Sequence, residues 1–126
     1  MRTFEIGLVL PMGDSFVDGS TARWVEIRDL ALRAEAIGFD IVWTADELLW
    51  RPPSGKPQGW WECVAMTGAV AAATSRVKVG TWILSALHRN PGITAKAAET
   101  LDEISGGRFV FGLNSRHTNA QAHAFG

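Results

Sequence analysis

Two short polar stretches contain the side chains best suited to chemistry in this sequence. Asp46 and Glu47 are adjacent carboxylates that follow an apolar run, and Arg116 and His117 follow another. A carboxylate enclosed in a pocket has a raised pKa and can transfer a proton, and histidine does so near neutral pH. Arg116 could instead pair with an anionic group. The competing interpretation is a set of loop residues in water, with Asp46 or Glu47 capping a turn.

Other kinds of site lack the residues that they need. His88, His117 and His123 have no recognised metal spacing, and Cys63 is the single cysteine, so neither a metal site nor an internal disulfide is expected. The nucleophile pattern G-x-S-x-G is absent, as are the phosphate-binding patterns G-x-G-x-x-G and G-x-x-x-x-G-K-[ST] after the first apolar run. A lone cysteine also fits a reducing cytoplasm, where we expect the protein to reside.

Composition is that of an ordinary globular protein. The chain has 126 residues, of which 47% are hydrophobic and 20% charged, and this favours one folded domain over disorder. The 12 Lys and Arg residues against 13 Asp and Glu residues leave a formal net charge of -1 and no basic stripe. No apolar run approaches the ~20 residues that span a bilayer, and Glu5 interrupts the apolar start. We therefore expect no nucleic-acid partner and no membrane insertion.

Hydrophobic periodicity predicts strands that alternate with helices. The predicted strands span 4–10, 39–44, 77–84 and 108–113, and the predicted helices span about 21–37, 60–74 and 91–105. The segment 46–59 is rich in proline and glycine, so it is predicted to be a long loop. Gly38 is placed to end the first helix, and Pro91 is placed to begin the third. Gly80, inside the third strand, indicates a bulge or a close approach of backbone.

Strand–helix–strand units of this kind form parallel sheets with right-handed crossovers. Two architectures fit: an open doubly wound sheet, or part of a (β/α)8 barrel. Periodicity does not choose between them. A flavodoxin-like open sheet would place a phosphate-binding loop at 12–20, and the residues there are only faintly suitable.

Four longer strings resemble those of a known family. They are AEAIGFDIVW (34–43), AAATSRVKVGTWIL (71–84), HRNPGITAK (88–96) and LDEISGGRFVFG (101–112), in this order. Together they resemble the N-terminal half of the bacterial luciferase-like family of flavin- and deazaflavin-dependent oxidoreductases. The resemblance implies an α/β fold in which 1–126 form a partial domain, the parallel (β/α)4 half of a TIM (β/α)8 barrel. Strands five to eight would be missing, so we expect a truncated product or a half-barrel that associates.

A half-barrel would leave two sheet edges and its inner face open. That inner face is expected to be apolar, and the candidates for it include residues that would normally meet the opposite strands: Ile6, Leu8, Leu10, Val42, Ile83, Val110 and Phe111. The expected partners are therefore a small-molecule substrate and either a second copy of the chain or the missing C-terminal half.

The resemblance places catalytic residues at the carboxyl ends of the strands, where barrel active sites lie. The family commonly has Asp-His after strand two, with the histidine acting as acid or base beside the flavin. Here Asp46 is followed by Glu47, so a carboxylate occupies the histidine position. His117, after strand four, is the third candidate for proton transfer.

The resemblance also implies a cofactor surface. Segment 80–82 matches a region in which many members have a bulge with a non-proline cis peptide behind the isoalloxazine ring. The implied cofactor-binding residues are Thr81, Trp82, Leu84, Ser115 and Arg116. The alternatives are ordinary strand packing with Trp82 in the core and, for the last two, a solvated polar tail.

The implied function is transfer of hydride, or activation of oxygen, with FMN or coenzyme F420 on a small organic substrate. The competing function is that of a non-catalytic half-barrel fragment or assembly module, which pairs through its open sheet edges. Phosphate sites of such barrels are frequently built by the loops after strands seven and eight. The chain by itself is therefore expected to bind phosphorylated flavin weakly.

Overall fold

Strands and helices alternate along the chain as the sequence predicts. The computed structural model describes residues 4–15, 18–48, 55, 57–115 and 123–124. The elements are β1 (Gly7–Val9), α1 (Trp24–Ile37), β2 (Ile41–Thr44), α2 (Cys63–Ala73), β3 (Lys78–Thr81), β4 (Leu84–Ser85), α3 (Pro91–Ser105), β5 (Phe109–Val110) and β6 (Leu113–Asn114). The predicted third and fourth strands are each divided in two, and α1 and α2 begin about three residues later than predicted.

The strands form an arc in sequence order. The main sheet is parallel with the order β1-β2-β3-β5, and β4 and β6 form a second parallel pair beyond it. A doubly wound sheet reverses its strand order at a switch point, whereas a barrel adds each strand beside the previous one. The open-sheet alternative, including its flavodoxin-like form, is therefore wrong for this chain.

The hydrophobic core lies between the sheet and the helices. Its buried members come from strands and helices alike: Leu10, Ile27, Ala31, Ala34, Val42, Val70, Ala71, Val77 and Val79. Leu8, Leu10 and Val42 are among the candidates for the inner face of the barrel, and for all three that placement is wrong because they lie in or pack against this core. Because neighbouring strand residues point to opposite faces, Trp43 takes the inner face while Val42 packs under the helices.

Trp43 covers the inner face of three strands. A Cβ atom at Gly80 would lie 2.5 Å from Trp43 Cζ3, and one at Gly7 would overlap Trp43 Nε1. The indole thus occupies the space above two glycines, one on β1 and one on β3. A Cβ at Gly80 would also lie 2.9 Å from the Val110 carbonyl oxygen, so this glycine allows close approach of both a side chain and the neighbouring backbone.

Gly38 and Pro91 lie at helix ends as the sequence predicts, and Asn90 and Gly106 cap the two ends of α3. Gly38, with φ of 90°, ends α1, and Gly106, with φ of 66°, ends α3, both in the left-handed region that glycine adopts without strain. Asn90 Oδ1 accepts from the N–H of Gly92 at 2.9 Å, and Pro91 is the first residue of α3.

One arginine closes the amino-end edge of the sheet. The Arg108 guanidinium donates to the carbonyls of Ala71 (2.8 Å), Thr74 (3.1 Å), Val77 (2.7 Å) and Ser105 (2.6 Å), and to Thr74 Oγ1 (3.0 Å). The bonds to Ala71 and Thr74 satisfy carbonyls at the C-terminal end of α2 that have no partner within the helix. Arg108 thereby holds α2 and α3 to the start of β5.

A carboxylate on α1 organises the turn before β3. Glu35 Oε2 accepts from the N–H groups of Ser75 (2.9 Å), Arg76 (2.6 Å) and Val77 (3.0 Å). Burial opposes the charge, but these three bonds and the nearby Arg76 guanidinium outweigh it and lower the pKa of Glu35 from 4.5 to about 2. The charged form of Glu35 therefore stabilises the fold.

We predict that Glu35→Gln reduces the free energy of unfolding by roughly 1–3 kcal/mol near neutral pH, because the amide binds the three N–H groups less strongly. The folded-state pKa is below the ordinary value of 4.5, so this contribution is complete above pH 4.5 and is lost as pH falls towards 2. Urea unfolding at several pH values measures it. Glu103→Gln, on an exposed part of α3, is the control, and equal pH profiles for wild type and Glu35→Gln would contradict the prediction.

Candidate active site

A bulge interrupts the sheet at its carboxyl-end edge. Gly80 pairs with Val110, and Leu84 pairs with Leu113, so three residues on one strand face two on the other. The peptide bond between Trp82 and Ile83 within this bulge is cis. The expectation of a bulge with a non-proline cis bond in this segment is thus confirmed, with the cis bond directly after Trp82.

Thr81 joins the strands across this interruption. Its Oγ1 donates to the carbonyl of Gly112 at 2.9 Å and accepts from the N–H of Gly112 at 3.1 Å. The hydroxyl thus replaces a backbone pair of the sheet, and Thr81 is fully buried. A side chain at Gly112 would overlap the Thr81 carbonyl, so only glycine allows this contact.

The bulge turns apolar side chains outwards. Trp82 is 56% exposed and Ile83 is 37% exposed, while the N–H of Trp82 donates to the carbonyl of Thr44 at 2.6 Å. The interpretation of Trp82 as a core side chain is therefore wrong. Its exposed indole adds a flat apolar surface to the edge of the sheet where β2 and β3 end.

The other predicted cofactor-binding residues fall into two groups. Leu84 is buried in β4, behind the exposed bulge, and Ser115 is exposed directly after β6. Arg116 lies outside the described residues, as does His117. Trp82 and Leu84 thus lie along the path of β3 and β4, and Ser115 lies at the end of the neighbouring path of β5 and β6.

Asp46 is a buried, paired carboxylate. Its Oδ2 accepts from the N–H of Ser85 at 2.8 Å and from Arg89 Nη1 at 2.6 Å, and its Oδ1 accepts from Arg89 Nη2 at 2.9 Å. Arg89 Nη2 also donates to Glu62 Oε1 at 2.7 Å. Asp46 was considered as a turn cap or a residue facing water, yet it does neither.

Glu47 is the next residue and is half-buried. It follows Asp46 directly, just beyond the end of β2.

Sequence reasoning underestimated Arg89. The sequence patterns do not single it out, yet it pairs with carboxylates at the ends of two other segments, Asp46 and Glu62. The sequence contains part of this information, because a carboxylate that directly follows a buried strand needs a cation or several N–H groups. The sequence does not show which arginine supplies that charge.

The loops above this edge are tied together by indole and carboxylate hydrogen bonds. Asp14 Oδ2 accepts from the N–H of Gly59 at 2.7 Å, and Asp14 Oδ1 accepts from Thr21 Oγ1. The Thr21 bond and then the Gly59 bond lower the pKa of Asp14. Trp60 Nε1 donates to the carbonyl of Ala45 at 3.2 Å, so the loop after β1 and the segment 57–60 meet at the end of β2.

Cys63 is unsuited to nucleophilic chemistry. It is fully buried at the start of α2, 3.5 Å from Thr44 Oγ1, and burial raises its pKa to about 11. The thiol therefore stays protonated near neutral pH. Among the described residues there is no group of three or more His, Cys, Asp or Glu side chains that could hold a metal ion. None of the helices in that part of the chain has the length and hydropathy needed to cross a bilayer.

The carboxyl-end edge fits a planar ring better than an anionic group. Trp82 and Ile83 expose apolar surface there, as do Phe111 and Leu113 on the neighbouring strand path. The backbone at Gly80 is covered by Trp43, so a ring would meet the bulge rather than this glycine. Arg89, which could attract a phosphate, is already bonded to two carboxylates.

Comparison with known sequences gives a consistent family. A family model described as luciferase-like monooxygenase matches residues 4–126. An F420-dependent glucose-6-phosphate dehydrogenase of Amycolatopsis mediterranei is 38% identical over 92 residues, which are 71% of this chain and 27% of that protein. Pyrimidine monooxygenase RutA of Agrobacterium fabrum is 33% identical over 119 residues, 86% of this chain and 32% of that protein. The chain thus spans about a quarter to a third of the length of these curated relatives.

Solved structures agree on the fold. The oxygenating constituent of 3,6-diketocamphane monooxygenase from Pseudomonas putida, determined in complex with FMN, superposes with a TM-score of 0.72. The two sequences are 20% identical, and the match covers 97% of this chain and 32% of that chain. At this identity the likeness concerns the fold alone, and the arc of parallel strands corresponds to part of a TIM barrel.

We predict that Thr81→Val destabilises the protein by roughly 1–3 kcal/mol, because the N–H and carbonyl of Gly112 lose their shared partner in a buried place. Thr81→Ser retains the hydroxyl and should recover most of that loss. Urea unfolding compares both variants with Thr100→Val, the same change on the exposed side of α3. A Thr81→Val protein as stable as Thr100→Val would show that the hydroxyl does not hold the strands together.

Proposed function

The chain belongs to the luciferase-like monooxygenase family, and from this premise we propose that residues 1–126 form the first part of an oxidoreductase barrel. In this proposal the carboxyl-end edge binds coenzyme F420 or FMN. The observation that carries it is the bulge at Trp82–Ile83, which exposes a flat apolar surface where barrel enzymes place their active sites. The Amycolatopsis mediterranei relative is named as F420-dependent, and the Pseudomonas putida structure was determined in complex with FMN.

In the proposed site, the exposed Trp82 would contact the ring of the cofactor, and the buried Leu84 would support the strand that follows the bulge. Ser115 and Arg116 follow β6 and would bind a polar or anionic edge of the same molecule. When bound, either cofactor supplies hydride transfer, and reduced FMN also supplies reaction with oxygen. The protein orients the ring and limits its contact with water.

The proposed proton-transfer group is the Glu47 carboxyl, with His117 as a second candidate. Support for Glu47 over Asp46 comes from the hydrogen bonds, because both Asp46 oxygens already accept from Arg89 and one also accepts from Ser85. A carboxyl group must release those bonds before it can take up a proton, and this weighs against Asp46 as the proton-transfer group. Asp46 then holds the segment that carries Glu47.

The proposed substrate is a small organic molecule that approaches the same edge. The relatives are named for glucose 6-phosphate and for pyrimidine, so their names span an anionic sugar and a neutral ring. Phosphate sites of barrel enzymes are frequently built after strands seven and eight, beyond the strands present here. We propose the cytoplasm as the place of action, since the single cysteine needs no oxidising compartment.

A second candidate function follows from the sheet edges. In the described part of the chain, β1 pairs only with β2, and β5 pairs only with β3, so each has one open side. Val9, Phe111 and Leu113 are also 42%, 42% and 51% exposed. An assembly module that pairs through these edges, with a second copy or with another chain, would cover both features.

We predict that F420 or FMN fluorescence changes on titration with the chain, and that Trp82→Ala raises the Kd about tenfold, equivalent to ~1.4 kcal/mol. The reason is the loss of flat apolar surface at the bulge. Ile37→Ala removes an exposed apolar side chain at the end of α1 and is the matched control. The absence of any fluorescence change up to millimolar protein, for both cofactors, would reject the proposed cofactor site in this chain.

We predict that the chain associates and that Val9→Pro makes it monomeric. Leu10 donates to Trp43 on the β2 side, so by strand alternation the N–H of Val9 points to the open edge. Proline removes that donor without breaking a bond to β2. Light scattering measures the mass, with Val9→Thr, which keeps the N–H, as control. A monomeric wild type would argue against the assembly function.

A further inference from the structure

A single guanidinium joins three elements at the carboxyl-end edge. Arg89 lies just before α3, Asp46 lies just after β2, and Glu62 precedes α2. Glu62 Oε2 in turn accepts from the N–H of Ala65 at 2.7 Å and so caps α2. The group therefore connects the end of one strand with the starts of two helices.

The Asp46–Arg89 pair is enclosed by protein. The Asp46 side chain is 0% exposed and that of Arg89 is 14% exposed. The bond to Asp46 raises the pKa of Arg89 above its usual value, and this outweighs the opposing effect of burial, so the arginine keeps its charge. A buried carboxylate without this partner would be strongly unfavourable. Lysine carries the charge but lacks the planar pair of donors that both Asp46 oxygens receive.

The pair also connects the two parts of the candidate site. Asp46 Oδ2 accepts from the N–H of Ser85 in β4, and the Trp82–Ile83 bulge directly precedes β4. Glu47 is covalently attached to Asp46 on the other side. Asp46, which Arg89 holds in place, thus links the segment that carries Glu47 to the strand that follows the bulge.

We propose that Arg89 is a positioning residue: it holds Asp46 against Ser85 and so fixes Glu47 relative to the Trp82–Ile83 surface. This inference rests on the proposed function in one respect: the effect of Arg89 on the relative positions of the cofactor and the proton donor. Its structural part, the link between Arg89 and the Ser85 amide, is independent of any cofactor. Arg89 itself touches neither the cofactor nor the substrate.

The test uses Arg89→Met, Arg89→Lys and Asp46→Asn in the full 126-residue chain. Arg28→Met is the matched control, because Arg28 is 41% exposed and pairs only with the adjacent Asp29 among the contacts described for it. Hydrogen exchange at the Ser85 amide reports the link directly. Titration with F420 and with FMN reports the geometry of the site.

We expect Arg89→Met to accelerate exchange at Ser85 at least tenfold more than at amides in the centre of α3. It should also raise the cofactor Kd at least fivefold at a temperature where the variant is fully folded. Arg89→Lys should restore stability in part but leave the Kd raised. Arg28→Met should change each quantity by less than twofold.

Different failures have different meanings. If wild type binds cofactor and a folded Arg89→Met binds it equally well, Arg89 is only a stabilising residue and the inference is overturned. If wild type binds neither cofactor, the proposed function fails in this chain, and the Ser85 amide then decides the inference. Unchanged exchange at Ser85 in both Arg89→Met and Asp46→Asn would overturn it, and accelerated exchange would support the link.

If hydrogen exchange shows that Arg89→Met is partly unfolded, Glu62→Gln supplies a second measurement. It removes one carboxylate from Arg89 while the buried pair stays intact. We expect Ser85 exchange and the cofactor Kd to change by less than twofold, because Asp46 carries the link. Effects as large as those of Asp46→Asn would place the positioning role at α2 and overturn the proposed route.

Discussion

A parallel sheet tolerates a break in its hydrogen bonding only where another group replaces the missing partner, and the Thr81 hydroxyl meets that requirement here. It exchanges hydrogen bonds with both backbone groups of Gly112. The bulge can then turn Trp82 outwards while β4 and β6 resume parallel pairing beyond it. The apolar surface of the candidate site is thus exposed because the sheet is interrupted at one point, where the Thr81 hydroxyl supplies the missing hydrogen-bond partner.

The two edges of the sheet use charge in different ways. At the amino-end edge, Glu35 and Arg108 bind backbone N–H and carbonyl groups of turns and helix ends, which stabilises the fold. At the carboxyl-end edge, Arg89 binds side-chain carboxylates, Asp46 among them. This division agrees with the general pattern of barrels, in which one edge contributes stability and the other carries the site.

The arc of strands explains why family membership and function are separate questions for this chain. Its sequence order and parallel pairing match part of a TIM barrel, and the chain spans only a quarter to a third of its curated relatives. A closed barrel would cover the open sides of β1 and β5 and would face Trp43 with opposite strands. Cofactor binding and pairing through the sheet edges would therefore compete for the same arc of strands. Each depends on which further strands close the barrel.

Local periodicity, helix caps and characteristic strings in the sequence predict the alternation of strands and helices, the helix ends at Gly38 and Pro91, the bulge near Gly80 and the family. The folded chain, by contrast, confirms the barrel-like strand order that periodicity leaves open, exposes the indole of Trp82 and pairs Asp46 with Arg89. These outcomes depend on contacts between residues far apart in the chain. A carboxylate that follows a buried strand needs a partner, and the folded chain shows which residue that partner is.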